Sequence, residues 1–430
     1  MTSTSEPSPK PFTNPLPLAA GTRRSVVVEA CQVCAAPDLK SVLFLGFLPP
    51  VNTMAPIGSR PEEQPAYPAE MLFCPRCQLV QLGLIVDPAI LFPPHYAYTS
   101  GTTKILRENF AQLYQEVMQL YPFARTDLAV DIGSNDGTLL SNFQKGHRVC
   151  GIEPTNACKI AIERGIPTIN AFFGRAAVEQ ALKSHGRANL LTATNVFAHI
   201  ENIHDIVECI LALLAPNGIF ISESHYLLPL VETLQYDTIY HEHLRYYSLT
   251  SLKYLLESHG LEIIHARPIP THGGSIRVYS ARKGTRPVSQ AVADILRREA
   301  AALSFERLLE FKNRVAASKL GLLALLKQLK DKGARVHGVG APSRASTLIN
   351  HVGLDANILE CVLEIQGSYK IGKYMPGTVI PVLEESKLFT DQPEYALLFS
   401  WHIADELIPK LKAKGYRGKF IVPLPEPGMV

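Results

Sequence analysis

No apolar run in this sequence reaches the length needed to cross a bilayer. The opening residues, MTSTSEPSPKPFTNPLPLAA, are rich in Pro, Ser and Thr and lack the continuous apolar stretch of a secretory signal. The expectation is a cytoplasmic protein with no membrane partner and a disordered tail over residues 1–22. Cysteine is scarce: eight in 430 residues exclude a disulfide scaffold. An excess of either charge is missing too. With 42 Lys plus Arg against 39 Asp plus Glu, the net charge of +3 gives no electrostatic case for a nucleic-acid partner. Two familiar signatures are absent where they would be sought: the first glycine turn is not G-x-G-x-x-G, and the histidines lack H-E-x-x-H spacing.

What is present is a globular balance, 47% hydrophobic and 19% charged, in a chain long enough for three cores at about 150 residues each. Four of the cysteines fall in two C-x-x-C pairs, CQVC (Cys31, Cys34) and CPRC (Cys74, Cys77). Each pair can form a tight knuckle that aims both thiolates at one ion, so together they predict a closed structural zinc site. An aromatic loop follows, with Tyr96, Tyr98 and Ser100 at alternate positions, and then helical spacing from about Thr102 through Leu120.

The stretch DLAVDIGSNDGTLL reads as a strand, Leu128 to Ile132, running through a glycine turn into a helix. Gly133, Asn135, Asp136 and Gly137 make a bend that a ligand can approach closely, and Asp131 at the strand end favours a positively charged one. The next strand ends in Glu153, about twenty residues on, where a carboxylate can accept both ribose hydroxyls. These residues point to S-adenosylmethionine rather than NAD. Strands and helices keep alternating through ANLLTATNVFAHI, a helix ended by Pro-Asn-Gly, and IFISESHYL. In a doubly wound sheet, carboxyl ends of strands meet at one crevice, which would collect Asn195, His199, Glu223 and the segment beginning at Tyr236. A long helical stretch over Ser289 to Leu329 then leads to a second strand-glycine-helix unit, ARVHGVGAPSRASTLIN, followed by a strand ending in Glu364. There Ser343 and Arg344 open a helix where an anion could be held.

Ordered along the chain, CQVC, CPRC, YAYTSGT, VDIGSNDGTLL, GIEPT, TNVFAHI, DTIYHEHLRYYS, HGGSIRVY, GVGAPSRASTLIN and YMPGTVIPV resemble the motifs of sugar C-methyltransferases of deoxysugar pathways, from about Cys31 to Pro427. The resemblance implies an α/β protein with a small N-terminal zinc-binding domain (23–88), a central Rossmann-like S-adenosylmethionine methyltransferase domain (89–285) and a C-terminal Rossmann-like domain (286–430). It implies methylation of a carbon next to a ketone in a nucleotide-linked 4-keto-deoxysugar, usually a dTDP-sugar. Cys31, Cys34, Cys74 and Cys77 would hold structural zinc; Gly133, Asp136 and Glu153 would surround the cofactor; Tyr98, His199, Tyr240, Glu242 and His243 would face the sugar. The chain departs from the family pattern at His225 and after Glu364, which bears on the sugar rather than on methyl transfer.

Carbon becomes nucleophilic only when a proton leaves, so the site needs a base and a donor for the developing enolate oxygen. In YDTIYHEHLRYY the assignment is His243 as base, Glu242 orienting an imidazole or a substrate hydroxyl, and Tyr240 with His199 on the oxygen. Tyr98 would close the site, His241 would face a structural partner, and Tyr246 and Tyr247 would be core. Methyl transfer to another carbonyl compound or to oxygen, and an NAD-dependent oxidoreductase using GVGAP, are the competing readings.

Overall fold

The computed structural model describes residues 25–91, 100–121 and 124–430. Its central sheet has seven strands in the order Leu261–Ile269, Ser275–Arg282, Leu214–His225, Ala188–Thr194, Leu128–Ile132, Arg148–Ile152 and Thr168–Ile169. The last five of these are mutually parallel, and the first two form an antiparallel edge. Every residue of Leu128–Ile132 is buried, as expected of a strand covered by helices on both faces. One covering helix, Lys104–Leu120, packs through Leu106, Phe110, Leu113 and Val117, a stripe at helical spacing.

From Leu128–Ile132 the chain adds strands in one direction, and from Ala188–Thr194 in the other. That reversal opens a crevice at the carboxyl ends of these two strands. It places the glycine bend after Ile132 beside the loop that carries Asn195 and His199.

The amino-terminal region is an antiparallel sheet of Lys40–Leu48, Tyr67–Phe73 and Val80–Leu82. Its fourth strand is Arg245–Tyr246, which arrives from the segment that also builds the central sheet and pairs with Gln81 and Val80. The carboxyl-terminal sheet runs Val382–Glu384, Val362–Glu364, Val336–Val339, Tyr395–Leu398, Lys419–Val422 and Gly428–Met429, parallel except at its last strand. The fold is thus a Rossmann-like core flanked in sequence by a cysteine-bearing amino-terminal region and a second Rossmann-like unit.

Two local readings change. The helical stretch expected over Ser289 to Leu329 is two helices, Gln290–Ala302 and Phe305–Asp331. Ser304 restarts the second by accepting the Arg307 N–H at 3.3 Å, a cap that apolar periodicity does not reveal. Pro216, Asn217 and Gly218 do not follow the helix as a turn; they lie within the strand Leu214–His225, where its register shifts against Ala188–Thr194.

Candidate active site

The bend after Ile132 is shaped by residues that only small or left-handed-tolerant side chains can replace. Gly133 has φ +67°, and a Cβ there would lie 2.5 Å from Val196. Gly137 has φ +77°, and its Cβ would lie 2.6 Å from Ile166. Asn135 also has positive φ, 50°. Glu153, buried at the end of the adjoining strand, accepts the Asn135 N–H at 2.9 Å through one carboxylate oxygen. Its other oxygen accepts from the Thr155 N–H and hydroxyl. The oxygen facing Asn135 retains one acceptor site while the other is filled by Thr155, so Glu153 holds the bend and can still receive one ribose hydroxyl. Asn195, at φ 57°, donates its N–H to the Glu223 carbonyl and turns the neighbouring strand into the same crevice.

The segment Tyr236–Tyr247 brings His243 into a group of rings with His199, which lies on the loop after Ala188–Thr194. His243 lies 4.2 Å from Tyr240, 5.0 Å from His199 and 6.5 Å from His225, centroid to centroid. The Nδ1 of His243 is 2.9 Å from the Thr238 carbonyl, which can only accept; Nδ1 therefore carries the proton and Nε2 keeps its lone pair. Burial pushes His243 down to about 4 and His199 to about 3, so both are neutral near pH 7. His241 turns the other way, to the Pro68 carbonyl at 3.2 Å and the edge of Tyr67. Tyr246 and Tyr247 are buried.

The four knuckle cysteines converge in the amino-terminal region, with their sulfurs within 4.8 Å of one another. The Cys31–Cys77 and Cys34–Cys74 sulfurs are each 3.4 Å apart, near the ~3.8 Å that a tetrahedron of ~2.3 Å zinc–sulfur bonds requires. Three of the four residues are buried, as a closed structural site requires.

Three family models match in series: a putative zinc binding domain over residues 31–92, a methyltransferase domain over 105–266 and a C-methyltransferase C-terminal domain over 270–425. The C-methyltransferase NovU of Streptomyces niveus is 33% identical over 412 residues, covering 94% of this chain and 97% of NovU. The chain belongs to the C-methyltransferase family. Among solved structures, the PH0226 protein of Pyrococcus horikoshii OT3 aligns at 12% identity and TM-score 0.34, covering 43% of this chain and 95% of that one. The mitomycin 7-O-methyltransferase MmcR aligns at 19% and 0.33, covering 41% and 53%.

This C-methyltransferase is an S-adenosylmethionine-dependent enzyme with a structural zinc site, and the glycine bend and cysteine tetrad fit those two groups. Several residues nevertheless sit differently from their reading in the sequence. Asp131 is fully enclosed, takes the Thr192 hydroxyl at 2.6 Å and is pushed up to about 8 by burial. Its carboxyl is engaged inside the sheet, and burial there disfavours the charged form expected opposite a cationic ligand. Asp136 turns inward, accepting from the Thr138 N–H and hydroxyl and from the Gly101 N–H, with Arg164 at 3.4 Å. It stabilises the bend from behind.

Glu223 does not face the crevice. It is locked to Arg277 at 2.6 Å and Asn109 at 2.8 Å, and Arg277 continues to Glu116 at 2.5 Å. Glu242 accepts from Asn52 of the amino-terminal region at 2.6 Å rather than orienting an imidazole, and burial pushes it up to about 7. Arg344 does not hold a free anion, because both its terminal nitrogens and Nε already face protein groups: Asp237, Gln235 and His402. Tyr98 lies outside the described residues. Sequence reasoning passed over Asp237, Gln235, Asn52 and His402. The available signal was an aspartate inside an otherwise apolar and aromatic run, which calls for a cationic partner once buried.

Proposed function

We propose that this enzyme methylates a carbon next to a ketone in a nucleotide-linked 4-keto-deoxysugar, with a dTDP-sugar as the favoured carrier form, through an enolate formed by His243. The observation that carries the reading is the bond from His243 Nδ1 to the Thr238 carbonyl, because it fixes the tautomer that leaves Nε2 free to take a proton. Tyr240, in ring contact with His243, and neutral His199 supply donors for the oxygen on which charge develops. S-adenosylmethionine, when bound, supplies a methyl group activated on a positively charged sulfur. Gly133, Asn135, Gly137, Glu153 and Asn195 would hold it, and the ring group would hold the acceptor carbon on the facing wall. Glu242, near pH 7 in its own titration and joined to Asn52, is suited to receive a substrate hydroxyl. The relative's name, C-methyltransferase, supports carbon as the acceptor atom.

The test is solvent deuterium exchange at the carbon next to the ketone of a dTDP-4-keto-deoxysugar, with S-adenosylhomocysteine bound. His243→Ala should bind S-adenosylhomocysteine as the parent enzyme does and lose exchange by about 10²–10⁴-fold, the range of a general base. Exchange at the parent rate would remove His243 as the base.

A further inference from the structure

The carboxyl-terminal unit has its own topological switch point, between Val336–Val339 and Tyr395–Leu398. The residues beyond those strands reach out of their own domain. Arg344, in the first turn of the helix Ser343–Val352, places Nε 2.9 Å from one oxygen of Asp237 and Nη2 2.9 Å from the other. This is an ion pair with one hydrogen bond, from Nη2, and both partners are almost wholly enclosed, Arg344 at 6% exposure and Asp237 at 1%. Trp401 donates its indole N–H to the same carboxylate at 2.8 Å, and its ring lies 5.1 Å from the guanidinium. Arg344 Nη2 also reaches the Gln235 side-chain oxygen at 3.2 Å, and Thr347, one turn on, donates to the Ile239 carbonyl at 3.3 Å. Gln235, Asp237 and Ile239 are therefore all gripped by one helix of another domain. Between Asp237 and Ile239 lies Thr238, whose carbonyl accepts from His243 Nδ1.

We infer that Arg344 is a positioning residue for methyl transfer: its buried ion pair with Asp237 fixes the turn Tyr236–Thr238, and that turn fixes the ring and tautomer of His243. The inference rests on His243 being the base. It gives the second Rossmann-like unit a task in catalysis that requires no ligand of its own. A displacement of the Thr238 carbonyl by an ångström would leave His243 free to rotate or to change tautomer, which costs rate without costing affinity for the cofactor.

Arg344 has a second effect, electrostatic and readable by pH. The groups facing His243 are His199 beyond Ala188–Thr194, His225 at the end of its strand, His272 in the turn Thr271–Gly273, Arg344, and Tyr240 and Tyr246 of its own segment. Arg344 is the permanent cation in that set, and with burial and His272 it makes protonation of His243 harder.

The experiment compares Arg344→Gln, Arg344→Lys, Asp237→Asn and the double variant Asp237→Asn/Arg344→Gln with the parent full-length enzyme. All should bind S-adenosylhomocysteine within about threefold of the parent. Arg344→Gln and Asp237→Asn should lose at least tenfold in kcat with little change in the acceptor KM, and the double variant should recover part of the loss because neither charge is left alone. The acid limb of the kcat profile should move to higher pH in Arg344→Gln and stay in place in Arg344→Lys, an outcome that mere structural support would not produce. Unchanged kcat and an unmoved acid limb in Arg344→Gln overturn the inference. So does a loss confined to acceptor KM, which would make Arg344 a substrate ligand. If Arg344→Gln cannot be folded, Asp237→Asn decides alone by the same kcat and KM criteria. A parallel His243→Ala measurement separates the two readings: exchange surviving there sinks the base, whereas exchange lost there with Arg344→Gln at parental rate sinks only the positioning role.

Discussion

Single residues at the glycine bend show how finely the wall proposed to hold the cofactor is set. Adding one methyl group at Gly133 would meet Val196 at 2.5 Å and would also force an L side chain to φ +67°. Gly146 is the matched control, because a Cβ there meets nothing within 4 Å and the backbone is not left-handed. Gly133→Ala should therefore lower stability by about 1–3 kcal/mol and weaken S-adenosylhomocysteine binding at least tenfold, whereas Gly146→Ala should change stability by less than about 1 kcal/mol and leave binding alone. Thermal unfolding and titration calorimetry on both variants check this; equal behaviour of the two would mean that the bend does not shape the cofactor wall. At this scale the sequence was informative where geometry is local. A glycine turn after an apolar strand is legible because φ and close approach restrict the residue type. The contacts of Asp136 with Gly101 and Arg164 and the pairing of Glu223 with Arg277 were not legible, since each depends on partners far along the chain.

At the scale of elements, the segment Tyr236–Tyr247 belongs to no single domain. Its last part, Arg245–Tyr246, is a strand of the amino-terminal sheet, registered against Gln81 and Val80. Leu244 accepts from the Leu82 N–H at 3.0 Å and donates to Ala198 at 2.9 Å, so it joins that sheet to the loop carrying His199. Arg245 is enclosed and donates to the carbonyls of Ile200 and Glu201, both at 2.5 Å. The first part is held by Arg344 and Thr347 of the carboxyl-terminal unit. A histidine-rich cluster was visible in the sequence, but a two-residue strand paired with a partner so far away is beyond periodicity, which needs a longer run. The geometry predicts that the zinc site acts on catalysis through this strand. Val80 follows closely on the knuckle of Cys74 and Cys77, so loosening that knuckle should disturb the residues directly after His243. Removing zinc with a chelator, or replacing Cys74 by Ser, should lower kcat tenfold or more while S-adenosylhomocysteine binding, built on the central sheet, stays within about threefold. Zinc-depleted protein of full activity would show that the strand is insensitive to the metal.

Across the whole molecule, the two Rossmann-like units repeat one device. Glu153, at the end of the second strand of the first, accepts from Asn135 of the glycine bend at 2.9 Å. Glu364, in the same place in the other, accepts from Ala341 after Gly340 at 2.7 Å. The order of elements in both was readable because alternating strands, helices and glycine turns are local signals. How the units face one another was not, since it rests on buried charged pairs between them. The neutral imidazoles at this junction make stability depend on pH. Burial holds His199 near 3, and His241 and His243 near 4, while His402, beside Arg344, is near 3. In the unfolded chain each returns to about 6.5, so below that pH the unfolded state binds more protons and stability falls with pH toward 4. Asp131 and Glu242, raised to about 8 and about 7, act oppositely, because in the folded state they keep protons that the unfolded chain releases above about 4. His272, also near 4, and His225, pushed well below its usual value by burial, add to these four. Together the lowered imidazoles outweigh the raised carboxyls Asp131, Glu242 and Glu223 in the window from 6.5 to 5. The urea midpoint should therefore drop as pH is lowered through that window, by a few kcal/mol in total stability, and His241→Asn should flatten the slope because His241 is enclosed away from the substrate. A midpoint that holds steady or rises between pH 6.5 and 5 would show that these rings are not held neutral by the fold, and with it the assignment of an uncharged His243 would lose its physical basis.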